Sequence, residues 1–304
     1  MALEGIHHIS AITGDAPSNV DFYTRVLGLR MIKKTVNFDD PNVYHLYYGD
    51  ELATPGAAMT FFEFPGAIPG TAGEGMVHTI GWRVGSAASL DFWSEHLSLF
   101  EVTAKREGDV LRFADPEGLI LELHACDVLD EPLASIDPDI PPEHALQGFH
   151  SVRAYASDPV RSTELLEALG FTSLGGDTWE SRGALRGGTY HYDAPPDGAR
   201  AAQSGGTVHH VAWSAADDAE LTELREKIAE LHAHPTPIID RQYFHSVYFR
   251  EPSGVLFELA TRDIGFDVDE PLERLGEKLV LPPQHERLRE RLEQTLTPLP
   301  PPRR

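Results

Sequence analysis

The sequence predicts an α+β protein: four βαβββ modules that pair into two domains with curved mixed sheets. Three observations carry this. A strand-like run with a histidine at one fixed point recurs four times, in Gly5-Ile6-His7-His8-Ile9, Met76-Val77-His78-Thr79-Ile80, Gly148-Phe149-His150-Ser151-Val152 and Val208-His209-His210-Val211-Ala212. Two closing runs match position for position as acidic-Pro-x-Gly, three apolar residues, then Glu-Leu: Asp115 to Leu123 and Glu251 to Leu259. The proline-rich stretch Asp137-Pro138-Asp139-Ile140-Pro141-Pro142 separates the halves, because proline suits neither a helix interior nor a central strand.

Each module opens on its histidine-bearing strand and continues into a helix. Val20 to Leu27 is amphipathic, and Gly28 fits a helix C-terminal cap. Leu97-Ser98 and Leu169-Gly170 end the second and third helices in the same way. The fourth helix, near Leu221 to Leu231, is longer and stops before Pro235. Three strand-like runs follow each helix. The expected organisation is 1–130 for modules one and two, 131–145 as linker, 146–265 for modules three and four, and 266–304 as a tail. The tail has one helix around His285 to Gln294, and Pro298 to Arg304 predicts an unstructured end. Pro195 to Gly206 reads as a surface loop.

Bulk properties narrow the function. The 304 residues are 41% hydrophobic and 24% charged, enough for a buried core. A formal net charge of -23 argues against nucleic-acid partners and against anionic membrane surfaces. A single cysteine, Cys126, excludes an intramolecular disulfide and a thiolate cluster. Met1 to Gly5 is not basic and no long apolar stretch follows, so the expectation is a cytoplasmic protein.

The repeat also points to the chemistry. The first histidine is kept in every module: His7, His78, His150 and His209. The second position is His8 and His210 in modules one and four, but Thr79 and Ser151 in two and three. A position that alternates between imidazole and a small hydroxyl reads as a metal-ligand position kept in one site and lost in another. Neighbouring strand residues face opposite ways, so one imidazole of each His-His pair is expected in a cleft and the other away from it or at its edge. Glu258, on the closing strand of module four, supplies a carboxylate, and Glu122 is its counterpart in module two. Two imidazoles and one carboxylate with open positions beside them suit non-haem Fe(II). For His8, His210 and Glu258 to meet, modules one and four must share a cleft. The other cleft would hold Thr79, Ser151 and Glu122, too few ligands for a metal, and reads as a degenerate structural half. His78 and His150 read as hydrogen-bonded core residues, and His45 and His245 as packing.

These modules, the paired histidines and the closing Gly-x-x-x-Glu strand resemble the vicinal oxygen chelate superfamily of glyoxalases, bleomycin-resistance proteins and extradiol dioxygenases. Tyr44 to Asp50, Ala53 to Gly56, Glu143 to Ser151 and the segment from Asp240 to Glu258 are similar to hydroquinone-type ring-cleaving dioxygenases. The resemblance covers about residues 3 to 265. It implies an extradiol-type ring-cleaving dioxygenase whose Fe(II) is held by His8, His210 and Glu258, with Mn(II) as an alternative ion. The substrates it implies are a small aromatic diol and O2. It also implies roles around the metal for His7, His209, Arg241 and Tyr248, and for Ser10, which stands where the family has threonine. Open sheet edges of such modules are compatible with a homodimer.

Two rivals use the same scaffold. A glyoxalase-type isomerase or lyase commonly adds a fourth protein ligand, yet the position in module one that corresponds to Glu258 is Thr60, with Glu63 one register error away. A bleomycin-resistance-like protein would bind an aromatic ligand without metal and has no use for the His-His-Glu set.

Overall fold

The structure, a computed structural model, describes residues 3–198 and 200–301. It contains the βαβββ unit four times. Module one has β1 (Ile6–Thr13), α1 (Ala16–Asp21), β2 (Arg30–Val36), β3 (Tyr44–Gly49) and β4 (Ala58–Glu63). Module two has β5 (Val77–Val84), α2 (Ala87–Leu99), β6 (Lys105–Glu107), β7 (Val110–Ala114) and β8 (Ile120–Ala125). Module three has β9 (Phe149–Tyr155), α3 (Thr163–Ala168), β10 (Thr172–Gly175), β11 (Thr178–Arg182) and β12 (Gly187–Asp193). Module four has β13 (Val208–Ala215), α4 (Asp218–Glu230), β14 (Ile239–Asp240), β15 (His245–Arg250) and β16 (Leu256–Thr261). In the tail, a 3-10 turn at Pro283–Leu288 leads into α5 (Arg289–Thr295). Of the C-terminal run expected to be unstructured, 302–304 lie outside the described residues.

Helix ends follow their sequence signals. Asp217 caps α4 by accepting from the Ala219 and Glu220 amides, and Leu221, Leu224 and Ile228 form its buried stripe. Ser86 caps α2, which buries Leu90, Trp93 and Leu97. After α1 the chain continues through a π-helical turn, Phe22–Val26, to Gly28. Gly28 has φ +66°, and a β-carbon there would lie 2.4 Å from the Ile140 Cδ1 atom. The left-handed backbone therefore favours glycine, and a β-carbon would also have to displace the end of the Ile140 side chain.

The hydrogen-bonded sheets do not follow chain order. One eight-stranded sheet runs β14-β15-β16-β13-β1-β4-β3-β2, joining module four to module one. The other runs β10-β11-β12-β9-β5-β8-β7-β6, joining three to two. Each sheet thus draws half its strands from either side of residues 131–145. β1 and β13 lie side by side at the centre of the first sheet, antiparallel. All eight residues of β1 are buried. Trp82, Trp93 and Trp213 are completely buried in the core.

Both central pairings are bulged, always at the repeated histidine. Along β1 and β13, Ile6 faces Trp213 and His8 faces Ala212, which leaves His7 as the extra residue. Ser10 faces His210 and Ala11 faces Val208, which leaves His209 as the extra one. Along β5 and β9 the extra residues are His78 and His150. A bulge breaks strict alternation, so adjacent side chains no longer point to opposite faces.

Candidate metal centre

The register brings three predicted residues together. β13 and β16 run parallel with Ala212 beside Glu258, and β1 lies on the other side of β13. His8 Nε2 and His210 Nε2 are 3.4 Å apart. Glu258 Oε2 lies 3.2 Å from His8 Nε2 and 2.9 Å from His210 Nε2. Glu258 is fully buried and both imidazoles nearly so. Despite these short distances, neither oxygen of Glu258 has a properly directed hydrogen bond. A buried carboxylate without hydrogen bonds is expensive, and one ligand atom from each of His8, His210 and Glu258 lies within 4.8 Å of the others. The donor set and its geometry fit a divalent transition metal. Among the described residues this is the one cluster of histidine, cysteine and carboxylate groups close enough to do so.

The bulged histidines hold the other two. His7 Nδ1 lies 2.9 Å from His8 Nδ1, and His7 Nε2 lies 3.1 Å from the Thr261 carbonyl. That carbonyl can only accept, so the proton of His7 sits on Nε2. Its Nδ1 then accepts from His8 Nδ1–H, which leaves the Nε2 lone pair of His8 free for an ion. His209 and His210 repeat the contact, Nδ1 to Nδ1, at 2.8 Å. Burial pushes His7 down to about 3 and His209 down to about 4, with the neighbouring imidazole adding to each. Burial also lowers His210. Burial opposes ionisation of Glu258, but His8 and His210 outweigh it and hold the carboxyl well below its usual range. His8 lines the adjoining cavity while His7 does not, whereas His209 and His210 both line it.

A cavity of about 310 Å³ opens onto this centre. Its walls include Phe38, Phe62, Phe64 and Phe244 together with His45 and Tyr47. The Phe244 ring lies 5.0 Å from that of His8, and Phe62 lies 5.5 Å from that of His209. Tyr248 faces Glu258 across β15 and β16 and meets His210 edge to face at 5.7 Å. Burial, then Glu258, raises its phenol far above the ordinary value. The Arg241 guanidinium sits 5.2 Å from the Tyr248 ring and 5.9 Å from that of Phe38, and pairs with Asp39 at 3.2 Å. Ser10 does not line the cavity; it is completely buried and bonds Thr60 at 2.6 Å.

Ser10 faces Thr60 in the same register in which Ala212 faces Glu258, so Thr60, not Glu63, occupies the carboxylate position of module one. His45, read from sequence as packing, lines the cavity, while His245 bonds Asp218 at the surface. His45 and Tyr47 alternate with Tyr44, Leu46 and Tyr48, which puts these two on one face of β3, and Tyr47 pairs with Thr60.

The second sheet spends its polar groups on one another. Glu122 takes Arg112 and His124, each at 3.1 Å. Asp193 takes His78 and Arg153, and His78 also bonds Thr79. His150 Nδ1 is buried without a partner, and its ring stacks on His124. A larger hollow of about 720 Å³ lies against Asp21, Arg25 and Phe100; it contains no histidine, and its Arg25 and Asp21 are paired.

Comparison with known proteins identifies the family. The model of the glyoxalase/bleomycin resistance protein/dioxygenase superfamily matches residues 5–123 and 148–259. The chain is 40% identical to a Bacillus subtilis protein named "Putative ring-cleaving dioxygenase MhqA", over 98% of this chain and 100% of that one. It is 32% identical to the chlorohydroquinone/hydroquinone 1,2-dioxygenase of Sphingobium indicum, over 97% and 96%. A crystal structure of a Bacillus subtilis protein described as a "putative dioxygenase" superposes with a TM-score of 0.91 at 39% identity, covering 98% of both chains. Glyoxalase I from Zea mays shares the fold at a TM-score of 0.58 and 16% identity. With the family model spanning both halves of the chain, the protein belongs to the glyoxalase/bleomycin resistance protein/dioxygenase superfamily.

Proposed function

We propose that the protein is an Fe(II)-dependent ring-cleaving dioxygenase acting on a hydroquinone- or catechol-like diol, with both atoms of O2 entering the product. The observation that carries this is the buried meeting of His8, His210 and Glu258 at one end of an aromatic-walled cavity. His8, His210 and Glu258 would hold the ion. Fe(II) there supplies the electron relay between an electron-rich ring and dioxygen, and Mn(II) accepts the same donors.

The chain's own residues supply orientation and proton control. His7 fixes the ring of His8 through the Thr261 carbonyl, and His209 meets His210 through the same Nδ1-to-Nδ1 contact. Phe62 and Phe244 exclude water and offer faces against which an aromatic ring stacks. Tyr248 keeps its proton and stands beside Glu258, in place to donate to an oxygen of the bound diol. Arg241 brings a permanent positive charge to the cavity wall, where it can meet a phenolate or a product carboxylate. Ser10 acts at a distance, through Thr60.

The sense of cleavage is extradiol. In a para-diol no ring bond joins two hydroxylated carbons, so a 1,2 cut falls between a hydroxylated carbon and its unsubstituted neighbour. The glyoxalase-type reading loses support at Thr60, a hydroxyl where that reading wants a fourth metal ligand. Anaerobic reconstitution with Fe(II), followed by oxygen-uptake measurements on a panel of aromatic diols, tests the proposal. Stoichiometric uptake with a diol supports it. Turnover of a hemithioacetal, with no uptake across the panel, overturns it.

A further inference from the structure

A chain of four hydrogen-bonded side chains runs from β1 into the cavity. Ser10 Oγ is 2.6 Å from Thr60 Oγ1, Thr60 Oγ1 is 3.0 Å from His45 Nε2, and His45 Nδ1 is 2.9 Å from the Tyr47 hydroxyl. The chain crosses three adjacent strands, β1, β4 and β3. Its Ser10 end is completely buried, and its other end, His45 and Tyr47, lines the cavity. Both nitrogens of His45 are occupied within the chain, so the ring cannot itself bond a ligand without giving up a partner. The Tyr47 hydroxyl has one hydrogen-bonding position left.

The place of Tyr47 sets what that position can meet. Tyr248 and His209 are tied to the metal end of the cavity, one beside Glu258 and the other bonded to His210. Arg241 sits 5.2 Å from the Tyr248 ring and belongs to the same end. Tyr47 stands on β3, two strand spacings (roughly 9–10 Å) from the strand that carries His8. Tyr47 lines the same cavity as His8 and His210, so a ring bound to the centre through one oxygen can meet Tyr47 with its opposite edge.

We propose that Tyr47 is the group that recognises the second, remote hydroxyl of a para-diol, and that His45 is the positioning residue that sets the direction of the Tyr47 hydroxyl. This rests on the aromatic-diol reading of the cavity. The ring flanking is consistent with a fixed part: His45 is packed between Tyr47 at 4.2 Å and Phe62 at 4.1 Å. Thr60 and Ser10 hold its far nitrogen, and either direction of proton order along the chain is available. Tyr47 can thus accept from a hydroxyl or donate to a carbonyl-like oxygen without any change of position.

The test is binding without turnover. Full-length protein loaded with Fe(II) under argon is titrated calorimetrically with hydroquinone and with phenol, which offers the same first oxygen and no second one. The wild type should prefer hydroquinone by about 5–10-fold, the worth of one neutral hydrogen bond. In Tyr47→Phe the ratio should fall to about one while phenol binding stays within about twofold. His45→Phe should do the same, and His45→Gln, which can still bond the Tyr47 hydroxyl, should restore most of the ratio. A ratio unchanged in Tyr47→Phe overturns the proposal, as does a parallel loss for both ligands. A wild type that fails to consume oxygen yet shows this pattern would remove the ring-cleavage reading and leave the contact standing. A wild type that does not distinguish the two ligands sinks the contact, whether or not oxygen is consumed.

Discussion

His7 and His8 meet through their Nδ1 atoms at 2.9 Å, although neighbours on a regular strand would point apart. The bulge at His7 makes the contact possible, and the Thr261 carbonyl gives it a direction. Replacing His7 should therefore weaken metal binding without removing a ligand. His7→Phe should lower metal affinity by about 10–100-fold, the usual effect of losing the partner behind a ligating imidazole. His7→Gln, which can still accept from His8 Nδ1–H, should recover part of it. Competition against a chromophoric chelator measures both; equal affinities in wild type and His7→Phe would show that the Thr261–His7–His8 chain does not orient the ligand.

Occupancy of the centre should be visible as stability. Glu258 is fully buried without a directed hydrogen bond, so an ion that binds the folded chain relieves a local cost. At a hundredfold excess of metal over Kd the gain is about 2.7 kcal/mol. For a chain of this size that is roughly 4 °C in melting temperature. Chelation should reverse it. Glu258→Gln should abolish the metal-dependent part, and calorimetry with and without chelator reads the difference.

The site was legible in the sequence because duplication leaves a comparison inside one chain. His8 and His210 against Thr79 and Ser151, and Glu258 against Thr60, mark candidate ligand positions by where they are lost. The pairing of module four with module one was legible only through that triad, because strand patterns carry no record of which module lies beside which. The bulges were not legible: they add a residue to the ladder without changing the apolar run. His45 was missed for a related reason. Tyr44 to Tyr48 is apolar enough on both faces that alternation separates the faces but does not say which one meets the cavity.

Two buried carboxylates should give the stability–pH curve opposing slopes. Burial would raise Asp130, but hydrogen bonds from Arg182, the Gly187 amide and Arg83 outweigh it and hold it well below the ordinary range. A depressed folded-state value means that its contribution is complete above the unfolded value of about 3.9 and is lost as pH falls through the folded value. Asp115 is the reverse. Burial pushes it up to about 6, so its penalty is full above pH 6 and disappears toward pH 4. Asp115→Asn should therefore stabilise at pH 8 by on the order of 2 kcal/mol and flatten the curve between pH 4 and 6. The geometry allows it: Oδ1 accepts from the Glu117 and Leu119 amides, and only Oδ2, which meets the Tyr23 hydroxyl, changes to a donor. Asp130→Ala should instead cost about 3–5 kcal/mol at pH 7, because it strands the buried Arg83. Urea unfolding across pH measures both; a destabilised Asp115→Asn at pH 8 would contradict the assignment.

The tail should prove a brace behind the cavity wall. Lys33 is completely buried and pairs with Asp269 at 2.6 Å and Glu270 at 2.8 Å, both contributed by the tail. The Val280 amide donates to the Lys34 carbonyl at 2.9 Å, covering the edge strand β2. His285 Nε2 donates to the Phe38 carbonyl at 2.8 Å, and Phe38 lines the cavity. Removing residues 267–304 would strip the Lys33 ammonium of both carboxylates and expose an unpaired strand edge prone to self-association. Lys33→Met in the truncated chain should not restore the cavity, because Phe38 still lacks its anchor. His285→Ala in the full chain isolates that anchor. It should leave unfolding within about 1 kcal/mol of wild type, the net worth of one hydrogen bond, while weakening hydroquinone binding. Size-exclusion chromatography, urea unfolding and calorimetric titration separate the three effects; unaltered hydroquinone binding in both the truncated chain and His285→Ala would show that the tail supports the fold alone.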